Sequence, residues 1–228
     1  MFKHPQPQKN KTRQKPCEKV QSMQRTPLIG ETAPSFHAET TQGVIHFPSD
    51  YTGKWVILFS HPSDFTPVCT SEIIALSRLE EECRALNTEL IGLSVDSLSR
   101  HVAWLYAIQE QIRFRGLTPT QITFPLIADS TQTIARRYGM IHPKADNSRT
   151  IRAVYFIDPD GIIRTILYYP MSTGRNFSEI MRILMSLQLT SEAGGATPAD
   201  WKPGDAVVYP LEKETEESYF TQPDQKEM

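Results

Sequence analysis

The feature that most constrains the fold is a junction between an apolar run and an amphipathic segment. Residues 55–59 are all large and apolar, which is typical of a strand buried on both faces. Residues 71–86 have the apolar spacing of a helix that packs on one side. The octet between them, residues 62–69 with the sequence PSDFTPVC, predicts how the helix begins. Thr66 suits the N-cap position and Pro67 suits the first helical position.

This helix start places Cys69 in the first turn of the helix. Backbone amides there have no intrahelical partners and the helix dipole is positive, so a negative charge is favoured. The thiolate is the nucleophilic form of cysteine. A free cysteine is also among the residues that are most often buried for packing alone. Because Pro62, Thr66 and Cys69 occur together between a strand and a helix, the pattern favours a nucleophilic sulfur.

Composition excludes several classes of function. The chain has 228 residues and a net charge of −2, which gives no general attraction to nucleic acid. It has no apolar stretch of the length that spans a membrane and no apolar secretory signal. Three cysteines without Cys-x-x-Cys spacing and six scattered histidines predict no metal and no cofactor. An odd, sparse set of cysteines fits a reducing compartment, so we expect a cytoplasmic protein.

Three regions differ in composition. Residues 1–26 are basic and poor in apolar side chains, which predicts a disordered arm, although an organelle transit peptide is the alternative. Residues 27–192 have the composition and periodicity of one folded domain. Residues 193–228 are rich in Pro, Gly and acidic residues but retain Trp201 and Tyr209, so we expect an extension that packs on a partner subunit rather than a free tail.

The folded domain alternates strands and helices and then ends with a hairpin and a helix. Predicted strands lie within 36–47, a hairpin around Gly43, and at 55–59, 90–95, 124–127, 152–157 and 162–168. Predicted helices follow the octet and cover 101–115, 131–138 and 176–189. This order predicts an α/β fold with a mixed sheet flanked by helices.

Several segments of the chain together resemble the peroxiredoxins, most closely their one-cysteine, peroxiredoxin-six-like group. The similar segments are 59–72 around the octet, 93–97 (LSVDS), 172–177 (STGRNF), 186–190 (SLQLT) and 196–201 (ATPADW). The resemblance covers nearly everything after the first 26 residues. It implies a thioredoxin-like fold and the reduction of hydrogen peroxide and organic hydroperoxides.

The resemblance also implies roles for four residues. Cys69 corresponds to the peroxidatic thiol, which becomes a sulfenic acid, and the hydroxyl of Thr66 binds the peroxide. Pro62 shields the sulfur, and Arg152 lies beside the thiolate. The sequence supports Arg152 independently, because it begins the apolar strand 152–157, where an inward guanidinium needs an anionic partner. The alternative is an arginine at the end of a strand that faces water.

Three further residues are expected to support the site. Arg175 matches a second family arginine, although a surface position at a helix start is the alternative. Glu72 is expected to hold Arg152, or else only to complement the helix dipole. His61 corresponds to a histidine that contacts the sulfur in this group, and its alternative is a structural histidine at a strand end.

No resolving cysteine is expected within this chain. Cys83 lies 14 residues after Cys69 on the same predicted helix, so their Cα atoms are about 21 Å apart. A disulfide needs a separation below about 7 Å. Cys83 belongs to an apolar stripe of the helix, and Cys17 lies on the basic arm. We therefore expect recycling by an external reductant, either a small thiol such as glutathione or a thioredoxin- or glutaredoxin-type protein, and a homodimeric enzyme.

Two other classes of function remain open at this point. An oligomeric holdase chaperone would use the same fold without turnover, but the intact set of Pro62, Thr66, Cys69 and Arg152 disfavours it as the main role. A cysteine hydrolase would need an oriented histidine base and an oxyanion hole. His61 is the only histidine near Cys69 in the sequence, and no acyl pocket is evident.

Overall fold

The computed structural model describes residues 25–112 and 121–209 and the backbone of 220–221. Cys17, most of the predicted disordered arm and the end of the helix predicted for 101–115 lie outside the described residues.

A seven-stranded mixed sheet forms the centre of the fold. Its spatial order is β2-β1-β5-β4-β3-β6-β7, in which β3, β4 and β5 are mutually parallel and the other pairs are antiparallel. The predicted mixed α/β sheet is therefore confirmed. The strands are β1 (Phe36–Thr40), β2 (Gly43–Phe47), β3 (Trp55–Ser60), β4 (Thr88–Ser94), β5 (Leu126–Ala128), β6 (Arg152–Ile157) and β7 (Ile163–Tyr169).

Four α-helices lie in the described part of the chain, with a short 3₁₀ helix at Ser49–Tyr51. They are α1 (Pro67–Ala85), α2 (Leu98–Glu110), α3 (Thr133–Arg137) and α4 (Phe177–Ala193). α2 begins three residues before the predicted start because the Ser97 hydroxyl accepts a hydrogen bond from the amide of Arg100 and caps the helix. α3 is shorter than predicted, with Tyr138 as its C-cap.

Both faces of the sheet are covered, as the apolar run in β3 predicts. Trp55, Ile57 and Phe59 pack with residues of α1, α2 and α4, whereas Val56 and Leu58 pack with α3 and the β1–β2 hairpin. Successive side chains of a strand point to opposite faces, so a strand between two cores is apolar along most of its length, as residues 55–59 are. β3 therefore lies in the centre of the domain, and the octet follows the C-terminal end of this strand.

The first part of the C-terminal extension folds onto its own chain. Trp201 is 3% exposed, its indole nitrogen donates to the carbonyl of Asp205 (3.1 Å), and its own carbonyl accepts from Arg182 of α4 (3.4 Å). The extension also contains β8 (Val207–Val208), which pairs with β9 (Phe220–Thr221). Burial of Trp201 therefore does not require a second subunit, and packing of the extension on a partner stays a prediction.

The contact at Gly92 in β4 gives a test of how tightly the core is packed. A Cβ atom at this position would overlap the side chain of Leu126 and lie 2.9 Å from Cζ of Phe59, both of them buried. We expect Gly92→Ala to lower the free energy of unfolding by about 1–3 kcal/mol because the core must be overpacked. Urea denaturation measures this change.

Gly174→Ala is the matched control for Gly92→Ala. Its added Cβ would meet only Cγ1 of Val68 at 3.5 Å, which is an ordinary contact. We expect a change within about 0.5 kcal/mol for this variant. Equal stability of the two variants would show that β4 and β5 are less closely packed than described.

Candidate active site

The octet forms the loop and the first helical turn that the sequence predicts. Thr66 occupies the N-cap with extended backbone, and its carbonyl accepts the first intrahelical hydrogen bond, from the amide of Thr70 (2.9 Å). Cys69 is the third residue of α1, so its own amide has no intrahelical partner. Its side chain is completely buried.

The side chain of Thr66 differs from the expected N-cap. No hydrogen bond joins it to the first amides of α1; instead, its hydroxyl donates to the carbonyl of Ser63 at 2.9 Å. This bond holds the loop in a turn before the helix. It also leaves the lone pairs of the Thr66 oxygen free to accept a hydrogen bond from another group.

Arg152 reaches the sulfur from the neighbouring strand. It is the first residue of β6, is 2% exposed, and its Nη1 lies 3.3 Å from Sγ of Cys69. Its Nε and Nη2 donate to the carbonyl of Met171, at 3.0 and 2.7 Å. The guanidinium therefore faces inward, and the alternative of a strand-end arginine in water is wrong.

Glu72 joins both arginines. Its Oε2 accepts from Nη1 of Arg152 and from Nη2 of Arg175, each at 2.7 Å, and its Oε1 accepts from Nε of Arg175 at 3.0 Å. Burial disfavours the charged carboxylate, but the charge and hydrogen bonds of Arg175, together with Arg152, outweigh it, so the pKa of Glu72 lies below its ordinary value.

Arg175 is buried rather than exposed at a helix start. It is 7% exposed, and its Nη1 donates to the carbonyls of Ser60 and Ala153, at 3.0 and 3.2 Å. It thus links the ends of β3 and β6 to the segment that precedes α4. The structure brings Cys69, Glu72, Arg152 and Arg175 into one network.

His61 belongs to a second polar cluster, which includes two residues that sequence reasoning missed. Its Nε2 lies 2.8 Å from Oδ1 of Asp64, and the other carboxylate oxygen lies 2.8 Å from Nδ1 of His101. All three side chains are buried, and Nδ1 of His61 has no hydrogen-bond partner. His61 and Asp64 are three residues apart in the loop, so their contact could have been predicted from the sequence. Nothing in the sequence connects His101 of α2 to them.

Asp96 holds the loop from the end of β4. Its carboxylate accepts from the amide of Asp64 at 2.9 Å and from the hydroxyl of Ser63 at 3.3 Å. It also pairs with Arg100, whose guanidinium lies over the ring of Phe65. Pro62 is buried in the same loop. These contacts fix the part of the loop that follows Pro62.

Cys83 behaves as a packing residue. It is 1% exposed, and its sulfur lies 3.7 Å from the sulfur of Met181 in α4. Burial, with Glu82 and Glu80 nearby, raises the pKa of its thiol to about 12, so it stays protonated and unreactive at neutral pH. Cys69 and Cys83 are both free and lie on one unbroken helix.

Two further observations concern metals and membranes. Within the described residues, one group, His61, Asp64 and His101, has three metal-ligating side chains close enough to share an ion. The spacing of the histidines in the sequence does not indicate this group, because His101 lies 37 residues after Asp64. Over the same residues, every helix is too short or too polar to cross a bilayer.

Comparison with known proteins agrees with this geometry. The AhpC/TSA family matches residues 29–166, and the C-terminal domain of 1-Cys peroxiredoxin matches residues 186–222. A peroxiredoxin of Methanosarcina mazei is 56% identical over 184 residues, which cover 81% of this chain and 84% of that protein. A peroxiredoxin of Thermotoga maritima is 46% identical over 198 residues, covering 85% and 89%.

Two solved structures have the same fold. A cysteine-to-serine variant of peroxiredoxin 6 from Arenicola marina superposes with a TM-score of 0.74 at 39% identity, covering 81% of this chain and 84% of that one. A yeast mitochondrial 1-Cys peroxiredoxin superposes with a TM-score of 0.73 at 39% identity, covering 81% and 87%.

A thioredoxin-like sheet that presents a cysteine at a helix N-terminus beside a buried arginine defines the class as a thiol peroxidase. The chain belongs to the AhpC/TSA family and, within it, to the 1-Cys peroxiredoxins. These findings give no support to the alternative of a holdase chaperone.

Replacing Glu72 tests how far the site depends on its carboxylate. In Glu72→Gln, two buried guanidinium groups lose their anionic partner, so we expect the free energy of unfolding to fall by about 3–5 kcal/mol. Glu179→Gln is the control, because Glu179 pairs with Arg182 on an exposed part of α4. We expect the free energy of unfolding of Glu179→Gln to fall by less than about 1 kcal/mol. A change of similar size in both variants would contradict the central role of Glu72.

The same carboxylate predicts a pH dependence of stability. Because the pKa of Glu72 is below its ordinary value of 4.5 in the folded state, its stabilisation is complete above pH 4.5 and is lost as the pH falls through the lower folded-state pKa. Urea denaturation at a series of pH values below 4.5 should show a loss in the wild type that is reduced in Glu72→Gln. Parallel curves for the two proteins would be the contrary result.

Proposed function

We propose that Cys69 is the peroxidatic thiol and that Arg152 stabilises its anion. The observation that carries this proposal is the 3.3 Å contact between Nη1 of Arg152 and Sγ of Cys69 inside a buried site. A charge–charge interaction is stronger there than in water because little solvent screens it. The uncapped amides of the first turn of α1 act in the same direction.

The reaction is a displacement at oxygen. The sulfur anion attacks the hydroperoxide oxygen that carries hydrogen, so that an S–O bond forms and the O–O bond breaks. Cysteine is oxidised to sulfenic acid, and the departing alkoxide or hydroxide takes up the proton that the thiol has lost. Arg152 also suits this step, because a guanidinium is always charged and can donate to the developing oxyanion.

Thr66 and Pro62 are proposed to shape the substrate site. The hydroxyl of Thr66 donates to the carbonyl of Ser63, and its free lone pairs are suited to accept the hydrogen of a hydroperoxide. Pro62, which has no amide hydrogen, is buried in the loop and shields the sulfur from water. Glu72 and Arg175 are proposed to position Arg152, and His61 to support the sulfur.

An external thiol is proposed to reduce the sulfenic acid. The packing of Cys83 and its high pKa argue against it as a resolving thiol. The yeast mitochondrial 1-Cys peroxiredoxin, 39% identical to this chain, has a thiol resolving mechanism via glutathione/thioredoxin systems. We propose the same two classes of reductant here, a small thiol or a thioredoxin- or glutaredoxin-type protein.

The proposed assembly is a homodimer in the cytoplasm. β7 forms an edge of the sheet, and its Tyr168 is 43% exposed, so a second copy could continue the sheet. A set of only three cysteines fits a reducing compartment. The net charge of −2 supports our expectation of neither nucleic-acid nor membrane partners.

Intact-protein mass spectrometry tests the assignment of Cys69. After one equivalent of hydrogen peroxide, we expect the wild type to gain one oxygen at Cys69, trapped with a reagent specific for sulfenic acid. The Cys69→Ser variant should gain none and should consume no peroxide. Oxidation at Cys83 instead, or unchanged turnover in Cys69→Ser, would refute the proposal.

The recycling proposal is tested by removing the other two cysteines. We expect Cys17→Ser/Cys83→Ala to keep steady-state peroxide consumption with glutathione or dithiothreitol within about a factor of two of the wild type, because neither sulfur takes part. Alanine is used at position 83 because a serine hydroxyl would be buried without a partner. Loss of turnover in the folded variant would identify a resolving cysteine within the chain.

A further inference from the structure

The hydroxyl of Ser60 is a buried group that the proposed reaction does not use. Ser60 is the last residue of β3, and its exposed fraction is 0%. The paired register of β3 and β6 ends at Phe59 and Val154. One residue further on, the Ser60 hydroxyl accepts from the amide of Ala153 at 3.0 Å and donates to the carbonyl of Ile151 at 2.6 Å. A side chain therefore joins the two strands at the point where their pairing ends.

These two hydrogen bonds lie on either side of Arg152 in the chain. The carbonyl of Ile151 belongs to the peptide group before Arg152, and the amide of Ala153 belongs to the peptide group after it. One hydroxyl thus holds both peptide groups of the arginine. Ile151 and Ala153 are both buried, so bulk water offers these backbone groups no other partner.

A second hydroxyl connects the same two segments in the opposite direction. Thr150 lies two residues before Arg152 and is 0% exposed. Its Oγ1 donates to the carbonyl of His61 at 2.7 Å, and His61 directly follows Ser60 in the chain. The end of β3 and the start of β6 are therefore joined by one hydroxyl from each side.

The guanidinium of Arg152 is held at the other end of its side chain. Its Nε and Nη2 donate to the carbonyl of Met171, and its Nη1 donates to Glu72 at 2.7 Å. Because the guanidinium is planar and its donors are fixed in direction, the place of Nη1, 3.3 Å from Sγ of Cys69, depends on where the backbone of Arg152 lies. Catalytic groups must be held to within about 0.5 Å of their productive positions.

We propose that Ser60 and Thr150 are positioning residues for peroxide reduction. Their hydroxyls hold the backbone of Arg152 so that its Nη1 reaches the sulfur of Cys69. This inference rests on the proposed role of Arg152. Without the Ser60 hydroxyl, the carbonyl before Arg152 and the amide after it are buried without partners. To regain partners they must shift toward other groups of β3, and Arg152 shifts with them.

The first test measures rate and stability separately in Ser60→Ala. We expect the second-order rate constant for hydrogen peroxide, measured by stopped flow, to fall by about ten- to a hundredfold, because a small displacement of a catalytic group has an effect of this size. Ser77→Ala is the matched control, since Ser77 is also buried and its hydroxyl donates to the carbonyl of Ile74 at 3.0 Å. Its rate constant should stay within about twofold of the wild type.

A purely structural hydroxyl would give a different result. Ser60→Ala would then have a lower urea midpoint and a wild-type rate constant, which would overturn the proposal.

Thr150 offers a conservative pair of substitutions. Thr150→Val keeps the shape of the side chain but loses the hydroxyl, so the rate constant should fall in the same direction as in Ser60→Ala. Thr150→Ser keeps the hydroxyl and should remain within about threefold of the wild type. Where Ser60→Ala does not fold, this pair decides the question alone. Wild-type rate constants in both Thr150 variants would refute the positioning role.

A double-mutant cycle shows whether the effect of Ser60 passes through Arg152. In Arg152→Lys the guanidinium is absent, so adding Ser60→Ala should lower the rate constant by less than about a further threefold. An equal loss in both backgrounds would mean that Ser60 acts by another route and would contradict the inference. A wild-type rate constant in Arg152→Lys would instead refute the proposed role of Arg152 itself, so the two failures are distinguishable.

The geometry can also be observed without activity. In crystal structures of the reduced proteins, the distance from Nη1 of Arg152 to Sγ of Cys69 should be longer in Ser60→Ala than in Ser77→Ala by about 0.5 Å or more. Coincident guanidinium positions in the two variants would be evidence against the positioning of Arg152 by Ser60.

Discussion

Two buried guanidinium groups face one carboxylate, that of Glu72, and this cluster holds the active site together. Glu72 belongs to α1, Arg152 begins β6, and Arg175 precedes α4, so one side chain joins three elements that are distant in sequence. Buried charges are tolerated only where they are paired and hydrogen-bonded. The carboxylate carries one negative charge against two positive ones, so the cluster retains positive charge beside the sulfur of Cys69.

A second group of polar side chains, His61, Asp64 and His101, is also buried, and burial requires that these side chains contact one another. The carboxylate of Asp64 cannot be buried without donors, and the imidazoles of His61 and His101 contact its two oxygens. The loop and the first turns of α1 around Cys69 thus have two buried polar groups, one around Glu72 and one formed by His61, Asp64 and His101.

Much of the architecture was predictable because local patterns determine it. The apolar run of β3 and the Thr66-Pro67 helix start are strong short-range signals, and both elements form where expected. The inward direction of Arg152 was predictable because the residues that follow it in β6 are large and apolar or aromatic, which indicates a buried strand. The predicted bounds of α2 and α3 were less accurate. Ser97 is the N-cap of α2 and Tyr138 is the C-cap of α3, and several neighbouring residues in the sequence are about equally suited to these positions.

The sequence by itself determined the strand–loop–helix unit, the position of Cys69 in the first turn, and the absence of Cys-x-x-Cys spacing. Hydrophobic periodicity and helix capping act over a few residues, so they can be read along the chain. Only the tertiary structure decided that the Thr66 hydroxyl turns to Ser63, that Glu72 binds both arginines, and that His101 meets Asp64. Those contacts join residues up to about a hundred positions apart, where the packing of helices on the sheet, and not local preference, sets which side chains meet.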